Sequence, residues 1–266
     1  YTFVPNADAE NFTETFTYTI KDSDGTLSNT TVAITVSDGV TVTVPGAEDD
    51  GTTVLEAGLP AGTGELSDNI PNNDNSETTS GTITFTASDT PVTISVGGQP
   101  VVIAGVDQTD LTVDGAFGEL TLDLTNVATG SIGYSYTLDA NIDHDDAVAD
   151  SDTFAVVVTD EDGDSANGSL VIAITDDGPE AVADSQTINA SATEATGNVL
   201  TNDVAGADDE STTVVGVAVG NTGADLDNAA TVGDGTITGT GITGTNGTLY
   251  MASTGAYTFV PNADAE

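Results

Sequence analysis

Two short acidic turns carry the residue types that could do chemistry in this chain, DEDGD at 160–164 and DSDG at 22–25. Aspartates at alternate positions of a turn can direct their carboxylate oxygens to one point, and calcium takes about six to eight such oxygen ligands. Because carboxylates held close together repel one another, a bound cation would also explain how their charge is tolerated. The candidate calcium ligands in these turns are Asp22, Asp24, Asp160, Asp162 and Asp164.

Further acidic residues are predicted to meet at the joints between domains. The last strand of a domain runs toward its C-terminal pole, so the turn before that strand lies at the N-terminal pole, beside the joint at Asp38. Glu56 lies near the end of a first strand that runs the same way, which predicts that it lies near the exit joint with Asp176 and Asp177 as its neighbours. The additional candidate ligands are Asp38, Glu48, Asp49, Asp50, Glu56, Asp176 and Asp177, with Glu194 taking the part of Glu56 in the other domain.

Ordinary turn chemistry offers a second interpretation of these residues. Aspartate and glycine are common in tight turns without any metal, and a salt-adapted acidic surface gives a similar composition. Two copies at matched positions, both beside acidic joints, favour the calcium interpretation. The acidic loop 143–146, which holds the one histidine of the chain, His144, is a further candidate of the same kind.

The acidic turns join strands whose apolar residues alternate. Alternation over 154–158 before the second turn and over 170–174 after it is typical of a β-hairpin with one buried face. Gly163 supplies the backbone freedom that this turn needs. The first hairpin matches the second without gaps at a separation of 138 positions, Phe16 corresponding to Phe154. The chain therefore contains two related β domains, each closing with this hairpin.

The composition is strongly acidic, with 44 Asp and Glu against one Lys or Arg (Lys21) and a formal charge of −43. Such a surface repels nucleic acid and anionic membranes, so neither is expected as a partner. Apolar residues make up 37% and fall into alternating runs, which predicts a folded chain and not a disordered one. The chain has no cysteine for disulfides and no apolar run of about 18 residues that would predict membrane insertion.

A tandem repeat sets the predicted domain organisation. Residues 1–10 read YTFVPNADAE and residues 257–266 repeat them, a period of 256 positions. We therefore expect the sequence to span one full period of a tandem array of domains, with its ends falling inside a domain. The predicted domains are 1–38, the C-terminal strands of a split domain; 39–178, a complete immunoglobulin-like domain; and 179–266, the N-terminal strands of the next copy of the split domain.

Short apolar runs with turn residues about every eight to twelve positions predict the fold class. We expect an all-β chain of tandem immunoglobulin-like or cadherin-like β-sandwich domains in an extended array, with antiparallel strands and almost no helix. Outside the hairpins, the predicted strands include Tyr1–Val4, Ser185–Ala190, 212–219 and 235–238.

Enzyme chemistry finds little support in the sequence. Residues 239–244 match G-x-G-x-x-G, but no helical pattern follows them and no βαβ unit surrounds them. A serine–histidine–aspartate triad would depend on His144 in an acidic loop. Paired carboxylates could serve a glycosidase, but here they recur at turns of both domains, which suits a structural ion. We expect neither an enzyme nor a small-molecule substrate.

Several segments resemble repeats of large bacterial RTX-type adhesins. The closing hairpin DTFAVVVTDEDGDSANGSLVIAITDDGP (152–179), VLEAGLPAG (54–62) and GSIGYSYTL (130–138) resemble type I secretion target and VCBS-like repeats. The segments GNVLTND (197–203) and GTLYMASTGAYTFVPNAD (247–264) resemble cadherin-like repeats of the same proteins. The resemblance covers nearly the whole chain.

This resemblance implies secretion through a type I system to the surface of a Gram-negative bacterium. It implies calcium-rigidified extender domains that hold a binding domain away from the cell and support cell adhesion or biofilm formation. It also supports Asp160, Asp162, Asp176, Asp177 and Glu56 as calcium ligands. The nonapeptide β-roll repeats of RTX proteins are absent from this sequence, so the expected region is the extender.

The leading functional interpretation is a structural extender repeat whose partners are neighbouring repeats of the same protein. An alternative is a subunit of an extracellular filament, assembled head-to-tail when strands of one copy complete the split domain of another. A glycan-binding module is a second alternative, which an aromatic content of only 5% disfavours.

Overall fold

The structure is a computed structural model that describes residues 1–5, 11–47, 49–66, 74–109, 111–142, 144, 150–189, 191–207, 212–222, 226, 232–233 and 240–263. The chain is nearly all-β, which confirms the predicted fold class. Within the described residues, the α-helix is limited to the single turn α1 (Thr63–Leu66), and no helix there is long and apolar enough to cross a membrane.

The first hairpin forms a two-stranded sheet of its own. Strands β1 (Phe12–Lys21) and β2 (Leu27–Val36) pair antiparallel, with Phe16 opposite Val32. Their turn contains Gly25 at a φ of 101°, a left-handed conformation that glycine adopts without strain. The glycine predicted to serve the second turn, Gly163, has nearly the same φ of 104°.

Two larger sheets pack face to face in the central part of the chain and share one hydrophobic core. One sheet has the strand order β3-β5-β11-β10-β9 and the other β4-β13-β12-β6-β7-β8. The strands are β3 (Val40–Thr43), β4 (Thr53–Leu55), β5 (Thr78–Ala87), β6 (Thr93–Val96), β7 (Gln99–Ile103), β8 (Val106–Asp107), β9 (Thr112–Asp114), β10 (Gly118–Asp123), β11 (Ser131–Leu138), β12 (Ser151–Thr159) and β13 (Ser165–Thr175).

Alternation along these strands builds the core, as the sequence predicts. Phe154 and Leu170 point inward from one sheet and meet Ile132 and Tyr136 from the other, all nearly or fully buried. The rings of Tyr136 and Phe154 meet edge to face with centroids 6.1 Å apart. Burying one face of each sheet in this way provides the main favourable free energy of folding.

One strand pair departs from the antiparallel pattern that the sequence predicts. β4 lies parallel to β13, with Leu55 opposite Thr175. A parallel pair joins segments that are far apart in sequence, so no local alternation or turn reveals it. Because the two strands end side by side, the residues that follow them, Glu56 and Asp176, are neighbours.

The two hairpins have the same geometry but different surroundings. In the second hairpin Phe154 is 2% exposed, whereas its counterpart Phe16 in the first is 42% exposed. Tyr18, Ile20 and Leu27 on the first hairpin are also exposed. The second hairpin packs against a facing sheet, whereas no strand among the described residues covers the exposed face of the first.

The last sheet has the strand order β14-β17-β16-β15. Its strands are β14 (Ala195–Asn198), β15 (Ile242–Thr243), β16 (Gly247–Met251) and β17 (Ala256–Pro261). β17 contains YTFVP at 257–261, and the identical residues at 1–5 form no strand. Since β17 is hydrogen-bonded on both sides, by β14 and β16, the difference lies in the partners and not in the sequence.

Three strand predictions are therefore wrong within the described residues: Tyr1–Val4, the segment 185–189 of Ser185–Ala190, and 212–219. Each segment has a strand-like composition but forms no ladder with a neighbour there, and a strand is defined by its pairing. Ala190 and the predicted strand 235–238 lie outside the described residues. The predicted division of the chain at 38 and 178 stays a prediction.

A buried carboxylate that the sequence analysis missed ties the two central sheets together. Asp152, at the start of β12, is 2% exposed. It accepts hydrogen bonds from the backbone N–H groups of Ala116 at 2.6 Å, and of Phe117 and Gly118 at 3.1 Å. The Tyr136 hydroxyl donates a fourth at 2.7 Å. Burial, and then this bond to Asp152, raises the pKa of Tyr136, so the hydroxyl keeps its proton.

Replacing Asp152 by alanine should lower the free energy of unfolding by about 3 kcal/mol or more, because it leaves buried donors without an acceptor. Chemical denaturation of the two proteins measures the difference. Asp123→Ala is the control, since that exposed aspartate only caps its own turn through the N–H of Thr125. Equal effects of the two substitutions would contradict the structural role of Asp152.

Candidate metal centres

Four carboxylates converge where β2 leads into β3. One oxygen from each of Asp38, Asp89, Asp160 and Asp162 lies within 4.8 Å of the others, and we call these residues the entrance cluster. Asp38 follows β2, Asp89 lies in the loop from β5 to β6, and the other two lie in the β12–β13 turn. The structure thus brings together three sequence-predicted ligands and adds Asp89.

The entrance cluster holds negative charge that hydrogen bonds do not fully neutralise. Asp160 is 6% exposed, and neither of its carboxylate oxygens makes a hydrogen bond of good geometry. The nearby backbone N–H groups of Asp164 and Gly163 offset its charge only in part. Burial, and then the neighbouring Asp162, raises the pKa of Asp160. Burial, with the charges of Asp38 and Asp162, likewise raises the pKa of Asp89. A set of close oxygens with these properties fits a hard divalent cation such as calcium.

The matching turn of the first hairpin differs in its donors. The backbone N–H of Thr26 donates to Asp22 at 2.8 Å and to Asp24 at 3.2 Å, and its hydroxyl donates to Asp24 at 3.0 Å. Hydrogen bonding with Asp22, and then with Thr26, lowers the pKa of Asp24. Lys21, the one basic residue of the chain apart from His144, packs beside Gly25 in this turn. Within the described residues, no third carboxylate joins Asp22 and Asp24 to form a cluster.

A second group of ligating side chains lies at the other end of the sandwich. Glu56, His144 and Asp176 each place one ligand atom within 4.8 Å of the others, and we call them the exit cluster. The parallel pairing of β4 and β13 brings Glu56 to Asp176. Glu56 is fully buried, and its Oε1 accepts the backbone N–H of Ile142 at 2.6 Å.

The imidazole of His144 lies between two carboxylates. Its Nε2 is 3.3 Å from Glu56 Oε2, and its Nδ1 is 2.7 Å from Asp150 Oδ2. Burial lowers the pKa of His144, but the charges of Glu56, Asp176 and Asp150 outweigh that effect and raise it. Asp150 was not among the predicted ligands, and His144 entered the prediction only as part of the acidic loop 143–146. No sequence pattern shows that the imidazole of His144 lies against Glu56.

The remaining candidate ligands lie outside both clusters. Asp49 accepts the N–H of Gly46 at 2.7 Å within its own turn. Asp177 is buried and accepts the N–H of Thr63 at 2.7 Å, together with the Thr63 hydroxyl, at the start of α1. Asp50, Asp164 and Glu194 belong to neither cluster, and Glu48 and the acidic residues of the loop 143–146 lie outside the described residues.

No family model and no curated protein matches the chain. Among solved structures, the protocadherin GammaB4 extracellular domain matches 94% of this chain and 33% of its own length, at 12% identity and a TM-score of 0.30. Extracellular cadherin domains 3–6 of protocadherin Gamma B2 match 94% of this chain and 49% of their own, at 12% identity and a TM-score of 0.29. This chain thus spans about a third to a half of those chains. The likeness at these TM-scores is too low to bear on function.

Because the charge of Asp160 is not fully offset, we expect its contribution to stability in metal-depleted buffer to depend on pH. A carboxyl group whose folded pKa is raised stabilises the fold below its unfolded pKa of about 3.9 and loses that contribution as the pH rises through the folded value. We therefore expect Asp160→Asn to raise the melting temperature at pH 7 without metal. The difference from the wild type should shrink as the pH falls toward about 4.

Asp22→Asn is the matched control, because Thr26 donates to that carboxylate at the equivalent turn position. It should not raise the melting temperature at pH 7. Differential scanning calorimetry of the three proteins measures these differences. A wild type that is more stable than Asp160→Asn at pH 7 without metal would show that the carboxylate is compensated.

Proposed function

We propose that this chain is a non-enzymatic structural repeat of an extracellular adhesin, whose β domains are stiffened by calcium at their joints. The observation that carries the proposal is the buried carboxylate of Asp160, whose oxygens make no hydrogen bond of good geometry and which lies against three other carboxylates where β2 leads into β3. Asp38, Asp89, Asp160 and Asp162 would supply oxygen ligands, and water would complete the coordination.

The number of carboxylates in the entrance cluster favours calcium over magnesium. Calcium takes about six to eight oxygen ligands in flexible geometry, whereas magnesium usually keeps several waters and binds through one or two carboxylates. The cluster offers four carboxylates, each with one oxygen within 4.8 Å of the others. This donor set therefore suits calcium better than magnesium.

A bound ion would stiffen the joint because its ligands belong to different elements of the chain. Asp38 lies in the segment that joins the first hairpin to β3, whereas the other three ligands lie in two loops of the central sandwich. Ser88, next to Asp89, already bonds the N–H of Gly39 at 3.2 Å. A shared ion would fasten the connecting segment to both loops and restrict bending at the joint.

The cellular part of the proposal rests on the resemblance to RTX-type adhesin repeats. We place the chain on a bacterial cell surface after type I secretion, where it would extend an adhesin that serves attachment or biofilm formation. Calcium is abundant outside cells, so binding would add to the free energy of folding only after export. The formal charge of −43 is compatible with this order of events, because the chain without cations is self-repelling.

The calcium proposal predicts that Asp160→Asn has opposite effects on the melting temperature with and without calcium. Calcium in excess should raise the melting temperature of the wild type by roughly 10 °C, the linkage expected at about 100 times Kd. Asp160→Asn should lose most of this increase and become less stable than the wild type in calcium, although it is more stable without metal. Asp22→Asn should keep the full increase.

Sodium chloride at matched ionic strength is the second control for this experiment. It should give a smaller increase that is the same in all three proteins, because screening acts on the whole surface. If Asp160→Asn gains as much stability from calcium as the wild type does, the acidic surface and not the entrance cluster is responsible.

A second candidate function, head-to-tail completion between copies of the repeat, is favoured by the exposed face of the first hairpin. Phe16, Tyr18 and Ile20 are exposed there, whereas the matching Phe154, Val156 and Val158 are buried by a facing sheet. Phe3 touches the same face, its ring centroid 6.0 Å from that of Phe16. An exposed apolar sheet face of this kind is typical of a surface that another element or partner covers.

The repeated sequence suggests which partner covers that face. YTFVP forms the doubly paired strand β17 at 257–261, and the same residues at 1–5 precede the first hairpin without such partners. We propose that the strands around β14–β17 of one copy and the hairpin of the next complete one sandwich. The contact would propagate along an array or a filament.

Head-to-tail completion predicts concentration-dependent association. Sedimentation velocity should show the wild type growing into higher assemblies, while Phe16→Asp remains a monomer because it places a charge on the covered face. Thr17→Asp is the matched control, since neighbouring residues on a strand point to opposite faces. A wild type that stays monomeric up to high concentration, with slow amide exchange in 12–36, would overturn this candidate.

A further inference from the structure

We propose that the exit cluster is a zinc site, formed by Glu56, His144 and Asp176, with Asp150 orienting the imidazole. This departs from the expectation that Glu56 and Asp176 bind calcium. It also stands apart from the proposed function, because it does not depend on what the entrance cluster binds. The residues involved are brought together from the end of β4, the end of β13 and the loop before β12.

The two ring nitrogens of His144 have different surroundings, and this defines the tautomer that would bind metal. Nδ1 lies 2.7 Å from Asp150 Oδ2, a distance at which an Nδ1–H donates a strong hydrogen bond. Nε2 then carries the lone pair and faces Glu56 Oε2 at 3.3 Å. Metal-binding histidines commonly have this arrangement, in which an outer carboxylate holds the far nitrogen and makes the ligating one more basic.

The distance between these two atoms suits a tetrahedral ion. Ligands at about 2.0–2.1 Å from a tetrahedral zinc are separated by about 3.3 Å. The separation of Nε2 from Glu56 Oε2 is 3.3 Å. Asp176 is exposed and has a carboxylate oxygen within 4.8 Å of a ligand atom of both Glu56 and His144, which is close enough for all three to share one ion.

The donor set distinguishes this site from the entrance cluster. The exit cluster includes an imidazole nitrogen, which suits zinc and related transition ions, whereas the four ligands of the entrance cluster are all carboxylates, which suit calcium. Glu56 is also fully buried, and a buried carboxylate needs hydrogen-bond donors or a positive charge to offset its own charge. The described structure gives its Oε1 a donor in the N–H of Ile142 and places the imidazole of His144 beside Oε2. Zinc would supply a positive charge there and fasten three separate segments at the exit of the sandwich.

The single histidine makes the proposal directly measurable. In the full chain labelled with ¹⁵N and ¹³C at histidine, every imidazole signal comes from His144. Equimolar zinc at pH 7.5 should shift the Nε2 resonance to that of a metal-bound nitrogen and leave the Nδ1 proton in place. Calcium in the same experiment should not produce this shift.

Substitutions separate the proposed site from loose binding to one side chain. Zinc affinity, measured by calorimetry, should fall at least about tenfold in Asp176→Asn, an exposed position at which the fold is retained. Asp150→Asn should lower it by about 10–100-fold, as expected for a residue that orients a ligand. Asp160→Asn, in the entrance cluster, should leave zinc affinity unchanged.

Two results would overturn the zinc site. An imidazole that remains protonated at both nitrogens with equimolar zinc would mean that His144 acts as a cation, paired with Glu56 and Asp150. An Nε2 shift of the same affinity in Asp176→Asn and Glu56→Gln would mean that zinc binds the histidine alone.

Discussion

Repulsion among carboxylates is the constraint on which the rest of the structure depends. The chain has 44 acidic residues and one lysine, so it has almost no cationic side chains of its own with which to neutralise them. Many of the acidic residues that the structure describes face solvent, where water screens their charge. A few are held together, and they occur at the two poles of the central sandwich. There the fold tolerates negative charge only if hydrogen-bond donors, a protonated histidine or a metal ion offset it.

The described acidic residues differ in how far their charge is offset. Asp152 is buried among four donors and needs no ion. Asp22 and Asp24 accept hydrogen bonds from Thr26 in an exposed turn. Asp160 occupies the same turn position as Asp22 in the second hairpin, but its oxygens make no hydrogen bond of good geometry, and its pKa is raised. Two turns with the same sequence pattern therefore differ in their electrostatics, because one faces solvent and the other lies against further carboxylates.

The sequence predicted what depends on local periodicity and strand direction. Alternation located both hairpins and their turns, and strand direction anticipated that Asp160 and Asp162 would lie near Asp38. It did not reveal the parallel pairing of β4 with β13, because that contact joins residues more than a hundred positions apart. The meeting of Asp89 with Asp160 and of His144 with Glu56 is likewise a contact between distant parts of the sequence, and the role of Asp150 depends on where His144 lies. The two copies of YTFVP show most directly that local sequence does not determine a strand, since one copy forms a strand and the other does not.

The parallel pairing of β4 with β13 also governs how the central sandwich carries mechanical load. β13 is its last strand and β4 follows β3, so tension applied through the two ends of the sandwich, once it has freed β3 from β5, pulls β4 and β13 in opposite directions along their axes. The hydrogen bonds between them are then loaded in shear and share the force, whereas a hairpin pulled open at one end breaks its bonds one after another. The strand order itself therefore provides resistance to stretching. The two strands that carry the load end just before Glu56 and Asp176.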